Sequence, residues 1–157
     1  MFEKILFPTD FSDVAAKAIE YVKKLKQAGT KEVVLLNIIN QSLLDSIGLI
    51  CSSHTAFDET TGTFAGDEEE ILNKIMQKRI QKMNDLKSEL ETCGLRVKAL
   101  IKKGYPISEL LATEKEEKVS AIVIGSHGRK NLPRVFLGDV SEKVIRRSKS
   151  PVLVIKR

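Results

Sequence analysis

The 157-residue chain contains no tryptophan, and aromatic residues make up only 5% of the sequence. Sites for single-stranded nucleic acid stack bases on aromatic side chains, so this composition argues against nucleic-acid binding. The chain also lacks any apolar run near the roughly 20 residues that a membrane-spanning helix needs. Its first residues show no basic stretch followed by an apolar segment and a small-residue cleavage site. We therefore predict a cytoplasmic protein that does not enter a membrane.

Cysteine and histidine are equally scarce, with two of each in the chain. Cys51 and Cys93 are isolated from each other, and His54 and His127 form no recognised metal-binding motif. We predict two free thiols, as is usual in a reducing compartment, and no metal site built from protein side chains.

What the sequence does contain is typical of a folded domain. Hydrophobic residues make up 42% and charged residues 30% of a chain whose length suits one hydrophobic core. We predict a single domain over residues 1–157. The net charge of +5 could attract anions, but Lys and Glu alternate along most of the chain, which is typical of a solvated surface.

Short apolar segments alternate with amphipathic helical segments. Val33–Ile39, with Asn37 as its one polar interruption, and Ala121–Ile124 are runs typical of strands buried on both faces. Leu95–Ile101 alternates apolar and polar residues, which predicts an edge strand with one wetter face. The pattern predicts an α/β fold, a five-stranded parallel sheet with helices on both faces. Its strands are expected near residues 4–7, 32–39, 95–101, 121–124 and 151–155.

Residues 40–66 interrupt this alternation. They contain one short amphipathic piece, Leu43–Ile50, followed by stretches rich in Ser, Thr and Gly. Connections of this length inside a compact domain are usually functional or disordered. We predict a flexible insertion loop that contains one short helix.

The most informative stretch is Ala121–Ser141, in which a buried strand leads through a loop with Gly125, Gly128 and Gly138 into a helix. Glycines let a backbone approach a ligand closely, and a helix N-terminus adds partial positive charge. The same loop contains three basic residues, Arg129, Lys130 and Arg134. This combination predicts a phosphate site, although any strand-to-helix turn uses glycine and a polar cap without a ligand.

With these features the sequence resembles the universal stress protein family nearly from end to end. The resemblance rests on the opening KILFPTDFS, the strand VVLLNII, the turn GYPISEL and the C-terminal GSHGRKNLPRVFLGDVSEKVIRRSKSPVLVIKR. ATP-binding members of that family have Gly-x-x-Gly, nine residues, then Gly followed by Ser or Thr. Gly125, Gly128 and Gly138 have this spacing, whereas residues 40–66 show no useful match.

The resemblance implies a Rossmann-like sheet of order 3-2-1-4-5 that binds ATP or AMP, with Mg²⁺ as an open possibility held through the phosphates. Asp10 would face the ribose or base, while Pro8 and Thr9 would shape the pocket wall. Ile38 would offer backbone groups to the adenine edge. Arg129 is, on physical grounds, a neighbour of the phosphates. The other implied ribose and phosphate contacts are Ile124, Gly125, Gly128, Gly138, Val140 and Ser141.

The resemblance also implies a homodimer. The last strand, Val152–Ile155, is apolar and would be an exposed edge of the sheet, and exposed edges invite pairing with a second chain. The implied dimer pairs this strand antiparallel with the same strand of a second copy.

Asp139 departs from the family pattern, which has a small hydroxyl residue at this position in nucleotide-binding members. A carboxylate about 4 Å from a phosphate oxygen costs on the order of 4 kcal/mol at an effective dielectric near 20. We expect Asp139 to be the N-cap of the last helix, a role that is compatible with either outcome for the ligand.

Three functions therefore stay open. The first is an adenine-nucleotide-binding regulatory protein of the stress response. The alternatives are a slow ATPase and a ligand-free dimeric interaction module in which Asp139 marks the loss of the nucleotide site. The sequence shows no paired acid and base and no nucleophile with a base, so we assign no catalytic residue and treat His127 as a loop residue.

Overall fold

The computed structural model of the chain describes residues 2–52, 57–58, 63–64, 68–126 and 138–156. A single 3₁₀ turn, Lys26–Ala28, follows the first helix. The helices and strands are, in chain order, β1 (Lys4–Pro8), α1 (Asp13–Leu25), β2 (Glu32–Asn40), α2 (Gln41–Ser52), β3 (Phe57–Asp58), β4 (Thr63–Phe64), α3 (Glu68–Thr92), β5 (Arg96–Gly104), α4 (Pro106–Glu117), β6 (Ala121–Gly125), α5 (Asp139–Arg147) and β7 (Val152–Ile155).

The five longer strands form one parallel sheet in the order β5-β2-β1-β6-β7. Counted by position along the chain, this is the order 3-2-1-4-5, and the predicted fold class is confirmed. β5 and β7 form the two edges, as their sequence patterns predict. β3 and β4 are two-residue strands that pair with each other as a separate antiparallel hairpin.

The sheet has a hydrophobic core on each face because successive strand residues point to opposite sides. Helices α1 and α3 cover one face, and α4 and α5 cover the other. The first core includes Ile5, Phe7, Ala18, Val22, Val33, Leu35, Met83, Leu90 and Val123. The second includes Leu6, Val34, Leu36, Leu110, Ile122, Ile124 and Val144.

Helix α5 begins one residue earlier than the capping prediction requires. Gly138 has extended backbone angles, and its carbonyl accepts a 3.0 Å hydrogen bond from the Glu142 N–H, the first bond of the helix. Gly138 is therefore the N-cap residue, without a side-chain cap, and the prediction that Asp139 is the N-cap is wrong. Asp139 lies in the first turn, where its negative charge still interacts favourably with the helix dipole.

The connection after β2 contains more regular structure than the single short helix that we predicted. α2 begins at Gln41, directly after the strand, and extends to Ser52. The β3–β4 hairpin follows it. The flexibility of 40–66 stays a prediction, since residues 53–56, 59–62 and 65–67 lie outside the described part of the chain. In that described part, no helix is both long and apolar enough to cross a membrane.

Candidate functional site

The described members of the predicted site gather at the carboxyl edge of the sheet, beside the point where the strand order reverses. β1 stays paired with β2 as far as Pro8 and Leu36, whereas its pairing with β6 extends only to Leu6 and Ile122. β1 and β6 therefore separate toward their carboxyl ends. A crevice at such a switch point is where open α/β sheets bind ligands.

The turn after β1 forms one wall of this crevice. Thr9 is buried, and its N–H donates to the Leu36 carbonyl at 2.8 Å. The Thr9 hydroxyl oxygen accepts from the Phe11 N–H at 3.1 Å, and an Asp10 carboxylate oxygen accepts from the Ser12 N–H at 3.0 Å. These two side-chain bonds fix the shape of the turn and hold the Asp10 carboxylate at the carboxyl edge.

Phe11 has a left-handed backbone conformation, with φ of 61°. This region is unfavourable for a bulky residue and costs on the order of 1–3 kcal/mol, so the surrounding structure must hold it. The Phe11 ring packs against the core on the α1 and α3 face, and the Lys82 ammonium of α3 lies 5.3 Å from the ring centroid.

A buried amide connects the same turn to α3. The Asn37 side chain donates to the Thr9 carbonyl at 2.7 Å and accepts from an Arg79 guanidinium nitrogen at 2.6 Å. Asn37 is only 1% exposed. The sequence identified Asn37 as a polar interruption, and buried polar groups are almost always hydrogen-bonded. The sequence does not indicate that Arg79 is the partner, and the predicted site therefore contained neither Asn37 nor Arg79.

Ile38 and Ile124 both lie near the carboxyl ends of their strands, and their predicted ligand contacts stay predictions. Ile38 is on β2 beyond Leu36, the last residue of that strand that pairs with β1. Its backbone is therefore next to the crevice, and its half-buried side chain packs against the second core. Ile124 is buried near the end of β6.

The two ends of the glycine loop are held together. Gly125 pairs with Ile155 at the end of β6, and the Ser126 N–H donates to the Ile155 carbonyl at 2.8 Å. The Ser126 carbonyl accepts from the Gly138 N–H at 2.7 Å. Gly128 and Arg129, like the rest of 127–137, lie outside the described residues, so their predicted roles stay predictions.

The first turn of α5 closes the other side of the site. The buried Ser141 hydroxyl lies 2.9 Å from the carbonyl oxygens of both Ser126 and Gly138 and can donate its single proton to either. That hydroxyl thus binds the backbone at the loop ends, and its predicted role as a phosphate donor stays a prediction. Asp139 and Val140 are exposed.

Two grooves elsewhere on the molecule contain none of the predicted site residues. One, of about 610 Å³, lies along α3 beside Glu70 and Lys74. The other, of about 460 Å³, lies at the opposite edge of the sheet beside Thr30 and Arg96. Across the part of the chain that the structure describes, no group of three or more His, Cys, Asp or Glu residues could hold a metal ion.

The parallel sheet of this order, in which β1 and β6 separate at the switch point, defines a Rossmann-like α/β protein. The chain belongs to the universal stress protein family, whose family model matches residues 1–156.

Sequence and structure comparisons agree on this assignment. The chain is 38% identical over 160 residues to universal stress protein MJ0577 of Methanocaldococcus jannaschii, covering 100% of this chain and 96% of that protein. The solved structure of MJ0577 superposes with a TM-score of 0.81 and covers 97% of that chain. Universal stress protein YxiE of Bacillus subtilis is 30% identical over 99% of this chain and 100% of its own length.

A universal stress protein from Archaeoglobus fulgidus, solved in complex with dAMP, matches over 99% of this chain and 100% of its own. Its TM-score is 0.60 at 18% identity, so the likeness shows a shared fold.

Proposed function

We propose that this protein binds an adenine nucleotide, ATP or AMP, in the crevice between β1 and β6 and acts as a regulatory protein of the stress response. The observation that carries the proposal is the convergence of three segments at one edge of the sheet. These are the Thr9–Ser12 turn, the end of β2 at Ile38, and the joined loop ends Ser126 and Gly138. The dAMP complex of the Archaeoglobus relative supports the proposal, because it demonstrates that this fold can hold an adenine nucleotide.

The adenosine part would bind in this crevice beside the β1 turn and the carboxyl end of β2. Asp10 is a hydrogen-bond acceptor suited to ribose hydroxyls, and the Ser12 N–H already orients its carboxylate. Ile38 would offer its backbone groups to the adenine edge, where hydrogen-bond donors and acceptors alternate.

The phosphates would bind at the start of α5. As in any helix, the N–H groups of the first turn, here Asp139, Val140 and Ser141, have no carbonyl partner within the helix. These N–H groups and the helix dipole favour an anion. Gly125 and Gly138 lie beside them, and Gly128 and Arg129 of the same loop are proposed to complete the site. A Mg²⁺ ion would be held through the phosphates.

The exposure of Asp139 decides how strongly it opposes this binding. Asp139 is exposed, so the dielectric of water applies rather than that of a partly buried pair. A like-charge contact at about 4 Å then costs about 1 kcal/mol, equivalent to about fivefold in affinity. The carboxylate therefore weakens phosphate binding without closing the site.

Calorimetric titration with ATP and with AMP, each with and without Mg²⁺, tests the proposal. We expect micromolar binding by the unaltered protein and about fivefold tighter ATP binding by Asp139→Ser. Glu142→Gln is the matched control, because it removes a negative charge from the same helix start and should change the affinity by less than about twofold. If neither the unaltered protein nor Asp139→Ser binds a nucleotide, the proposed function is wrong.

The same titrations, together with an assay of phosphate release, separate the alternatives. Binding by Asp139→Ser alone would favour a ligand-free interaction module whose former site survives in the fold. Phosphate release from ATP that depends on the protein would favour a slow ATPase.

The proposed homodimer through β7 has support of its own, because the side chain of Leu153 on this edge strand is 42% exposed.

A further inference from the structure

We propose that helix α3 braces the adenosine wall of the site, and that Asn37 and Arg79 are positioning residues for nucleotide binding. This inference rests on the proposed function, since it concerns the same crevice. Neither side chain is expected to touch the nucleotide. Both act through the Thr9–Ser12 turn, whose Asp10 carboxylate is the proposed ribose partner.

The bridge needs a side chain at position 37 that both accepts and donates a hydrogen bond, as an amide does. A guanidinium has only N–H donors, and a backbone carbonyl has only acceptor sites. Asn37 accepts from Arg79 and donates to the Thr9 carbonyl, so its one side chain connects the two groups. A carboxylate could bind Arg79 but would oppose the carbonyl oxygen, and an aliphatic side chain could bind neither.

Helix α3 also supports the turn at a second point. Lys82, three residues after Arg79, is on the same face of the helix and lies over the Phe11 ring. Phe11 is the residue with the left-handed backbone, which the surroundings must hold in place. The two contacts therefore reach the turn on either side of Asp10, one at the Thr9 carbonyl and the other at the Phe11 ring.

The brace is rigid because α3 is itself fixed to the sheet. Met83 is 2% exposed and Leu90 is fully buried, and both belong to the core that α3 shares with β1 and β2. Arg79 approaches Asn37 from the same side of the sheet. A shift of α3 would therefore move the Thr9–Ser12 turn relative to β6 and change the width of the crevice.

Four single variants, one double variant and one control test this proposal. Asn37→Asp keeps the acceptor for Arg79 and removes the donor to Thr9. Asn37→Leu removes both bonds, Arg79→Ala removes the donor at the helix, and Arg79→Lys keeps a charged donor there. Lys78→Ala is the matched control, because it removes a positive charge from the neighbouring exposed position of α3. Arg79→Ala does not alter the buried strand, which keeps the test informative if the Asn37 variants fail to fold.

The expected signature is an equal loss of affinity for AMP and ATP. Arg79→Ala and Asn37→Asp should each weaken both nucleotides by about tenfold, because the displaced wall contacts the adenosine that they share. Arg79→Lys should restore most of this affinity, and Lys78→Ala should stay within about twofold of the unaltered protein. Adding Arg79→Ala to Asn37→Leu should cause no further loss of affinity, because Arg79 is proposed to affect the site only through its bond to Asn37.

Two results of the binding measurements would overturn the brace. One is unchanged affinity in Arg79→Ala. The other is a loss for ATP several times greater than the loss for AMP, which would mean that Arg79 acts on the phosphates directly. If the unaltered protein binds neither nucleotide, the proposed function fails, and amide hydrogen exchange still decides the brace. We then expect exchange at Phe11 and Ser12 to be about tenfold faster in Arg79→Ala while α5 is unchanged. Equal exchange rates at Phe11 and Ser12 would overturn it.

Discussion

The carboxylate of Glu114 holds the turn that leads from α5 into the edge strand β7. Its Oε1 atom accepts hydrogen bonds from the N–H groups of Lys149 at 2.9 Å and Ser150 at 2.7 Å, and from the Ser148 hydroxyl at 2.8 Å. Glu114 is 8% exposed. Because the turn places β7 at the edge of the sheet, replacing Glu114 tests how this edge is stabilised.

The size of the effect follows from these three bonds. Hydrogen bonds to a charged group contribute about 1.5–3 kcal/mol each, whereas neutral ones contribute about 0.5–1.5 kcal/mol. Glu114→Gln keeps the shape and one acceptor oxygen but loses the charge, so we expect the free energy of unfolding to fall by about 1–2 kcal/mol. Glu114→Ala removes the acceptor of the Lys149 N–H and leaves the Ser150 N–H with the Ser148 hydroxyl oxygen at 3.1 Å, so it should cost about 2–3 kcal/mol.

The pKa of Glu114 predicts how this contribution changes with pH. Burial raises this pKa, but the hydrogen bonds from Ser150, Ser148 and Lys149 outweigh burial and hold it below the ordinary value of 4.5. A group whose pKa is lower in the folded state stabilises the fold above its unfolded pKa. The stability difference between the unaltered protein and Glu114→Gln should therefore be constant near neutral pH and shrink as the pH falls through the folded-state pKa.

Urea unfolding followed by far-ultraviolet circular dichroism measures this difference, since the chain has no tryptophan for fluorescence. The protein concentration is kept constant because a dimer would link stability to concentration. Glu116→Gln is the matched control on the same helix, because Glu116 has 62% exposure and forms a surface ion pair with Lys102 at 2.8 Å. It should change stability by less than about 0.5 kcal/mol. Equal stability of Glu114→Gln and the unaltered protein, or a difference that persists in acid, would refute the reasoning.

Two other predictions concern a salt-bridge network and the dimer. Glu117 has 12% exposure and contacts Lys98 at 2.6 Å and Lys4 at 2.9 Å, and their hydrogen bonds lower its pKa. Glu117→Gln should lower the free energy of unfolding by about 1 kcal/mol at neutral pH, and by progressively less as acid protonates the carboxylate. Urea titrations that show no loss of stability at neutral pH would contradict this. Leu153→Lys should convert the proposed dimer to a monomer in size-exclusion chromatography with light scattering, and a monomeric unaltered protein would contradict the dimer.

The parts of the fold that the sequence predicted are those set by local patterns. β2 and β6 are apolar runs buried on both faces, and their strand type was predicted correctly from that pattern, whereas the strand order came from the family resemblance. The start of α5 was missed by one residue because both Gly138 and Asp139 are acceptable N-cap residues. The choice depends on which carbonyl accepts the first helical bond, and Gly138 is held in place by a long-range bond to Ser126.

In the candidate site, too, local motifs predicted some residues, whereas others, such as Asn37, depend on tertiary packing. Asp10 and the Gly125–Gly138 spacing are local motifs, and the crossover rule of a parallel sheet is enough to bring them to one edge. The Asn37–Arg79 bond joins residues 42 positions apart, across a connection that matches no pattern. A polar residue inside an apolar strand signals that a partner exists, because an unpaired buried amide is costly. Its identity depends on how far α3 rotates as Met83 and Leu90 enter the core, and that rotation is a property of packing rather than of any motif. Polar interruptions of inner strands near a carboxyl edge are therefore the residues to examine first for positioning roles, even when they match no known binding motif.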